Sequence, residues 1–92
     1  MADQTLTVSN KTWNRAGGVT EVSGDLSSLN AAPDYNDFNT GLNVVFCCFV
    51  EQDVAGAPGV NYNNDKSGAV KNGWCNTRAA GAGAGHFTAW GY

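Results

Sequence analysis

Residues 25–32 read DLSSLNAA, and how they are read decides the fold class of this chain. Leu26 and Leu29 stand three apart, the spacing that places two side chains on one helix face. Asp25 is a residue type that caps a first helical turn, and Pro33 cannot continue a helix. The segment therefore predicts a short helix, while nearly everything around it has the signature of strand. The resulting expectation is a β-rich α+β fold, with an antiparallel sheet of five or six strands carrying one short helix near 25–32. The alternative is a small all-β sandwich.

Towards the N-terminus, Gln4 to Ser9 alternates Leu6 and Val8 against Thr5, Thr7 and Ser9, the period of a half-buried strand. Val19 to Ser23 reads as its hairpin partner across a polar connection that holds Trp13 and Gly17-Gly18. Beyond the proposed helix, DYNDFNTG (34–41) is rich in turn residues. Leu42 to Glu51 is the most apolar stretch, apolar at both odd and even positions, which predicts a strand covered on both faces at the centre of the sheet. Ala55 to Gly59 reads as a turn, Val60 and Tyr62 as a short strand, and Asn63-Asn64-Asp65 with Gly68 as a loop.

Asn72-Gly73 is a strong type I′ hairpin signal. With the turn there, Val70 and Cys75 face the core, and Lys71, Trp74 and Asn76 share the opposite face. AAGAGAG (79–85) reads as a flexible connection. The last stretch, His86 to Tyr92, alternates His86, Thr88, Trp90 and Tyr92 against Phe87, Ala89 and Gly91, and it is expected to be a sheet edge.

Ninety-two residues form one domain, 1–92. Apolar residues make up 42% and charged residues 14%, so the surface is built largely of amides, hydroxyls and backbone; eleven residues are Asn. A formal charge of −3, with scattered cations, repels nucleic acid and leaves no polybasic patch for anionic lipid. No apolar run is long enough to span a bilayer as a helix. The N-terminal residues show no signal peptide, so the expectation is a cytoplasmic protein, or a secreted one whose chain starts at a mature end.

Cys47, Cys48 and Cys75 are an odd set, so at least one thiol is unpaired within the chain. They read either as small buried hydrophobes or as one bridge involving Cys75 with Cys48, the residue on its side of the sheet, while Cys47 points away and stays a buried thiol. With His86 they lack the close ligand spacing of a zinc site, and no basic setting activates a cysteine nucleophile. Asp34 with Asp37 is read as turn chemistry in preference to a glycosidase pair. Residues 61–72 fail as a calcium loop, because Lys66 stands where glycine is required. No metal or other cofactor is expected, and no catalysis.

What is left is a set of aromatic, amide and hydroxyl side chains suited to sugars, whose C–H faces stack on rings and whose hydroxyls pair with amides. The expected function is a lectin-like module recognising neutral glycans or glycoproteins through Trp74, Asn76, Trp90, Tyr92, Lys71 and His86. The alternative is a small defence or virulence protein (toxin or effector) that binds a protein or membrane component through the same aromatic face. A homodimer joined along an edge strand completes the expectation.

Overall fold

The computed structural model describes residues 3–53 and 58–92; the first three residues of the expected turn at 55–59 lie outside them. Eight strands follow in order: β1 (Gln4–Thr5), β2 (Val8–Ala16), β3 (Val19–Leu29), β4 (Asn36–Asn39), β5 (Val45–Gln52), β6 (Val60–Asn64), β7 (Val70–Thr77) and β8 (Gly83–Gly91). They form two four-stranded sheets, ordered β1-β4-β7-β6 and β2-β3-β8-β5. Only β1 and β4 pair in parallel; the other neighbours are antiparallel. The fold is all-β, a small sandwich. The α+β expectation is overturned, and the all-β alternative fits.

The correction centres on DLSSLNAA. Residues 25–29 are the second half of β3, not a helix. Leu26 pairs with Gly85 and Leu29 with Gly83, so three residues of β3 oppose two of β8. A bulge of this kind inserts one residue and returns the next side chain to the face it would have missed. Leu26 and Leu29, at 1% and 0% exposure, both reach the core. The i, i+3 spacing of a helix and of a bulged strand are the same pattern. Beyond Leu29 the chain turns at a cis Ala32–Pro33 peptide.

The same device recurs in β5, where Val45 and Cys47 pair with the adjacent residues Gly91 and Trp90. Val45 and Cys48 are thereby both buried, while Phe46 and Phe49 stand outside. The doubly apolar run is therefore an edge strand, and β8, expected at the edge, lies centrally between β3 and β5. Residues 8–16, expected to be mostly a connection, form the edge strand β2, turning at Gly17-Gly18 into β3. Nor does Asn72-Gly73 turn the chain. It lies within β7, and the hairpin runs instead through 65–69, closed by Asp65 N–H donating to the Ala69 carbonyl at 2.9 Å. Gly73 has φ 85° and passes directly under the Leu42 carbonyl, which a Cβ would strike. Glycine is required there by both backbone angle and space.

The core joins Val22, Leu26, Leu29 and Phe87 of one sheet to Phe38 and Cys75 of the other. Phe38 and Phe87 meet across it at 4.8 Å between ring centres, tilted by 43°, an aromatic pair worth roughly 0.5–1.5 kcal/mol beyond its burial. Cys48 and Cys75 also meet between the sheets. The hydrogen bond that the Cys75 thiol makes with Cys48, and then burial, push that thiol far above its ordinary range. All three cysteines are free thiols. Val70, expected in the core, is 84% exposed.

Side-chain amides tie the sheets together where backbone ladders stop. Asn36, fully buried, accepts at Oδ1 from Asn30 N–H (2.8 Å) and Gln4 Nε2 (2.7 Å), and donates from Nδ2 to the Asn30 (3.0 Å) and Thr77 (3.2 Å) carbonyls. Asn63, at φ 61°, does the same for Val45: it accepts that residue's N–H at 2.9 Å and donates to its carbonyl at 2.8 Å. Each amide presents one acceptor and one donor side by side, as a neighbouring strand would.

Asn36→Ala is expected to lower unfolding stability by at least about 2 kcal/mol, because each buried polar group left unpaired costs roughly 1–3 kcal/mol. The exposed Asn61→Ala should change it by less than about 0.5 kcal/mol. Urea denaturation of both variants compares them.

A second expectation concerns Asp65, whose carboxyl is held below the ordinary carboxylate range. The Ser67 hydroxyl, donating at 2.6 Å, is the main cause, and the Ser67 and Ala69 N–H groups (2.9 and 3.1 Å) and the charge of Lys71 add to it against partial desolvation. A depressed folded pKa contributes stability above the unfolded value and loses it as pH falls through the folded one. Asp65→Asn should therefore be less stable than the parent at neutral pH, with the gap closing in acid. Urea midpoints across pH measure this.

Candidate functional site

A concave feature lies on the flank of the sandwich, where β2 overhangs the space between the two sheets. Trp13 pairs with Val22 and Arg15 with Thr20, so both side chains project towards the core side of β2. Because β2 is an edge, they overhang the gap. Trp13 crosses that gap to the 40–44 loop of the opposite sheet. Its ring lies against Gly41 (φ 88°), where a Cβ would come within 2.7 Å of the indole. Glycine is needed here to admit the ring.

The resulting cleft has a volume of about 410 Å³ and is lined by Trp13, Arg15, Thr20, Leu42, Asn43 and Tyr92, among others. Small-molecule sites run from roughly 300 to 1,000 Å³. Trp13 is 52% exposed and Tyr92 51% exposed, so two large rings stand half in water. Arg15 Nε donates to the Thr20 hydroxyl at 3.2 Å, which fixes the plane of the guanidinium. Lys11 Nζ lies 5.9 Å from the centre of the Trp13 ring. Tyr92 is held in place by backbone bonds to Val44 in both directions (3.2 Å) and by Asn43 N–H donating to its carbonyl at 2.7 Å.

The residues expected at the site fall in two places. Trp90, Tyr92 and His86 belong to the outer face of the β2-β3-β8-β5 sheet. Asn14, Glu21, Trp90 and Cys47 form one row across it. Trp90 Nε1 donates to Glu21 at 2.9 Å, and the Phe49 ring meets Trp90 edge-on at 5.7 Å. Phe46 packs on Tyr92 at 5.5 Å. His86 sits between Asp25 and Glu51 in the next strand positions, with Nε2 3.8 Å from the Glu51 carboxylate, an exposed contact of little energetic weight.

Trp74, Lys71 and Asn76 belong to the other sheet, on the opposite side of the molecule. Lys71 Nζ lies over the half-buried Trp74 ring at 3.6 Å from its centre, a cation–π contact. Asn76 is 3% exposed. Its Nδ2 donates to Asn64 Oδ1 at 2.5 Å and to the Asp65 carbonyl at 2.8 Å, bonds that hold the 65–69 loop on the sheet. The structure thus separates Trp74 from Trp90 and Tyr92, and brings Trp13, Arg15 and Asn43 to Tyr92 instead. Trp13 was visible in the sequence as an aromatic in a polar stretch. Its partner Gly41 lies 28 positions away, and no local pattern connects the two.

The chain matches no known family, no curated protein and no solved structure. Among the described residues no helix is long and apolar enough to cross a membrane.

Cys47, expected to be a buried thiol, is partly exposed on the outer face beside Trp90, whereas Cys48 and Cys75 are buried. Labelling of the native protein with an aromatic disulfide reagent should modify Cys47 rapidly and leave Cys75 untouched until unfolding, since a thiol held protonated is a poor nucleophile. Peptide mapping of the labelled protein reads the result; label on Cys75 in the native protein would contradict the packing described.

Proposed function

We propose that this protein is a non-enzymatic glycan-binding module, and that its sugar enters the cleft between Trp13 and Tyr92. The observation that carries the reading is two aromatic rings, each about half exposed, on the walls of one 410 Å³ cleft with amide and hydroxyl groups between them. A soluble domain has no folding reason to keep an indole and a phenol half in water around one concavity, and sugar C–H faces are suited to them. Asn43 and Arg15 supply directional hydrogen bonds at the rim. Backbone pairing on both sides holds Tyr92, so little ordering entropy is lost on binding.

A second reading has one specific observation behind it. Phe46 and Phe49, 50% and 61% exposed, stand on the edge strand β5, beside Tyr92 and Trp90 respectively. Exposed phenylalanines have no polar tip to offer a sugar, and clustered aromatics are the usual anchors of a protein partner.

Glycan-array screening followed by calorimetry tests the first reading. Trp13→Ala should weaken binding at least tenfold, because aromatic anchors dominate small sites, while Trp74→Ala and Phe49→Ser should leave it within about twofold. Loss of sugar binding on Phe49→Ser or Trp74→Ala, with Trp13→Ala neutral, would place the ligand elsewhere. An array with no bound sugar would leave the protein-partner reading standing alone.

A further inference from the structure

The cleft is lined by a cation in a chain that is negative overall. The chain carries eight acidic side chains and a net charge of −3, yet none of the acidic residues lines the cleft. Arg15 does, and Lys11 stands beside it: its Nζ would be 3.2 Å from a Cβ on Gly41, the residue under the Trp13 ring. Among the described residues the Arg15 guanidinium pairs with no carboxylate, and its only side-chain bond is from Nε to Thr20. That bond occupies one of five N–H donors and orients the remaining fork. Without an acidic partner, the rest of the Arg15 fork is open to an incoming anion.

We infer that the sugar bound in this cleft is an acidic one, whose carboxylate is received by the Arg15 guanidinium while its ring stacks on Trp13. This inference rests on the glycan reading and refines it, replacing the neutral glycan expected from the sequence. The guanidinium fork matches a carboxylate with two parallel bonds, which a neutral hydroxymethyl group cannot reproduce. Lys11 adds a point charge at the rim, and no acidic side chain in the cleft opposes the ligand. The neighbouring carboxylate, Glu21, is engaged by Trp90 on the outer face.

The experiment uses an array on which each uronic- or sialic-acid glycan is printed beside its carboxyl-reduced counterpart, so that stereochemistry is kept and charge removed. The expected result is binding to acidic forms at least tenfold tighter than to their reduced partners, weakening as salt is raised. Arg15→Gln should bring the acidic forms down to the level of the reduced ones, and Arg15→Lys, which keeps the charge but loses the fork, should fall between. Circular dichroism of each variant checks that the sandwich is intact. Equal binding of acidic and reduced forms, still abolished by Trp13→Ala, would overturn the inference and leave the glycan reading in place. An acid preference unchanged in both Arg15 variants would also overturn it. An array on which neither form binds would remove this inference and the glycan reading together.

Discussion

Two packed sheets of four strands have few backbone hydrogen bonds between them, and in a domain this small the joints decide whether the core stays dry. Here side-chain amides supply joints beside the backbone bond from Ala32 N–H to the Ala79 carbonyl. Asn36 pairs with both backbone groups of Asn30, and Asn63 with both of Val45, each at a point where a strand of one sheet passes the other. A carboxamide is the one uncharged side chain that offers an acceptor and a donor in the geometry of a peptide group. Two of the eleven asparagines, in a composition read as that of a sugar-binding surface, thus serve to join the sheets. Asn76, also buried, instead holds the 65–69 loop on its own sheet.

Bulges set the second constraint. In β2, β3, β5 and β7 the pairing slips where one strand carries extra residues. Each slip shifts which side chains face inward, so the period of two holds over only a few residues at a time. The slips also shape the surface. In β5 the bulge puts Phe46 outside next to Tyr92, and in β7 the backbone passes close enough to Leu42 to require Gly73. The loop that Gly73 abuts carries Gly41, Leu42 and Asn43, and these form the far wall of the cleft. Bulge, loop and cleft therefore adjoin one another.

The cleft draws its chemistry from an edge. Trp13 and Arg15 point to the core side of β2, where a central strand would bury them, but at the margin of the sheet they overhang open space. An edge strand this polar is also protected from pairing with another copy by Lys11, Arg15 and the bulge at Asn10. One segment thus guards the sheet and presents the binding groups. The outer aromatic face on β5 and β8 lies round the corner, with Tyr92 common to both.

Sequence alone determined that this chain folds into one β-rich domain, since apolar alternation with turn residues between short runs leaves few other ways to bury the apolar side chains. It also determined that Cys47 and Cys48 point to opposite sides, because neighbouring strand residues do, but the bulge in β5 and the register of β7 decided that Cys48 is the one sharing the interior with Cys75. Only the tertiary structure decided the rest. Leu26 and Leu29 fit a helix and a bulged strand equally, and Gly83 and Gly85 on β8 select the strand by giving Leu29 and Leu26 their partners. Asn72-Gly73 carries a turn signal, but the turn is made by Asp65 to Gly68, whose carboxylate bonds to Ser67 and Ala69 stabilise it locally and free Gly73 to pass beneath Leu42. The cleft was least legible, because Trp13, Gly41 and Tyr92 meet through contacts between distant residues, and no local periodicity encodes which edge of one sheet overhangs which loop of the other.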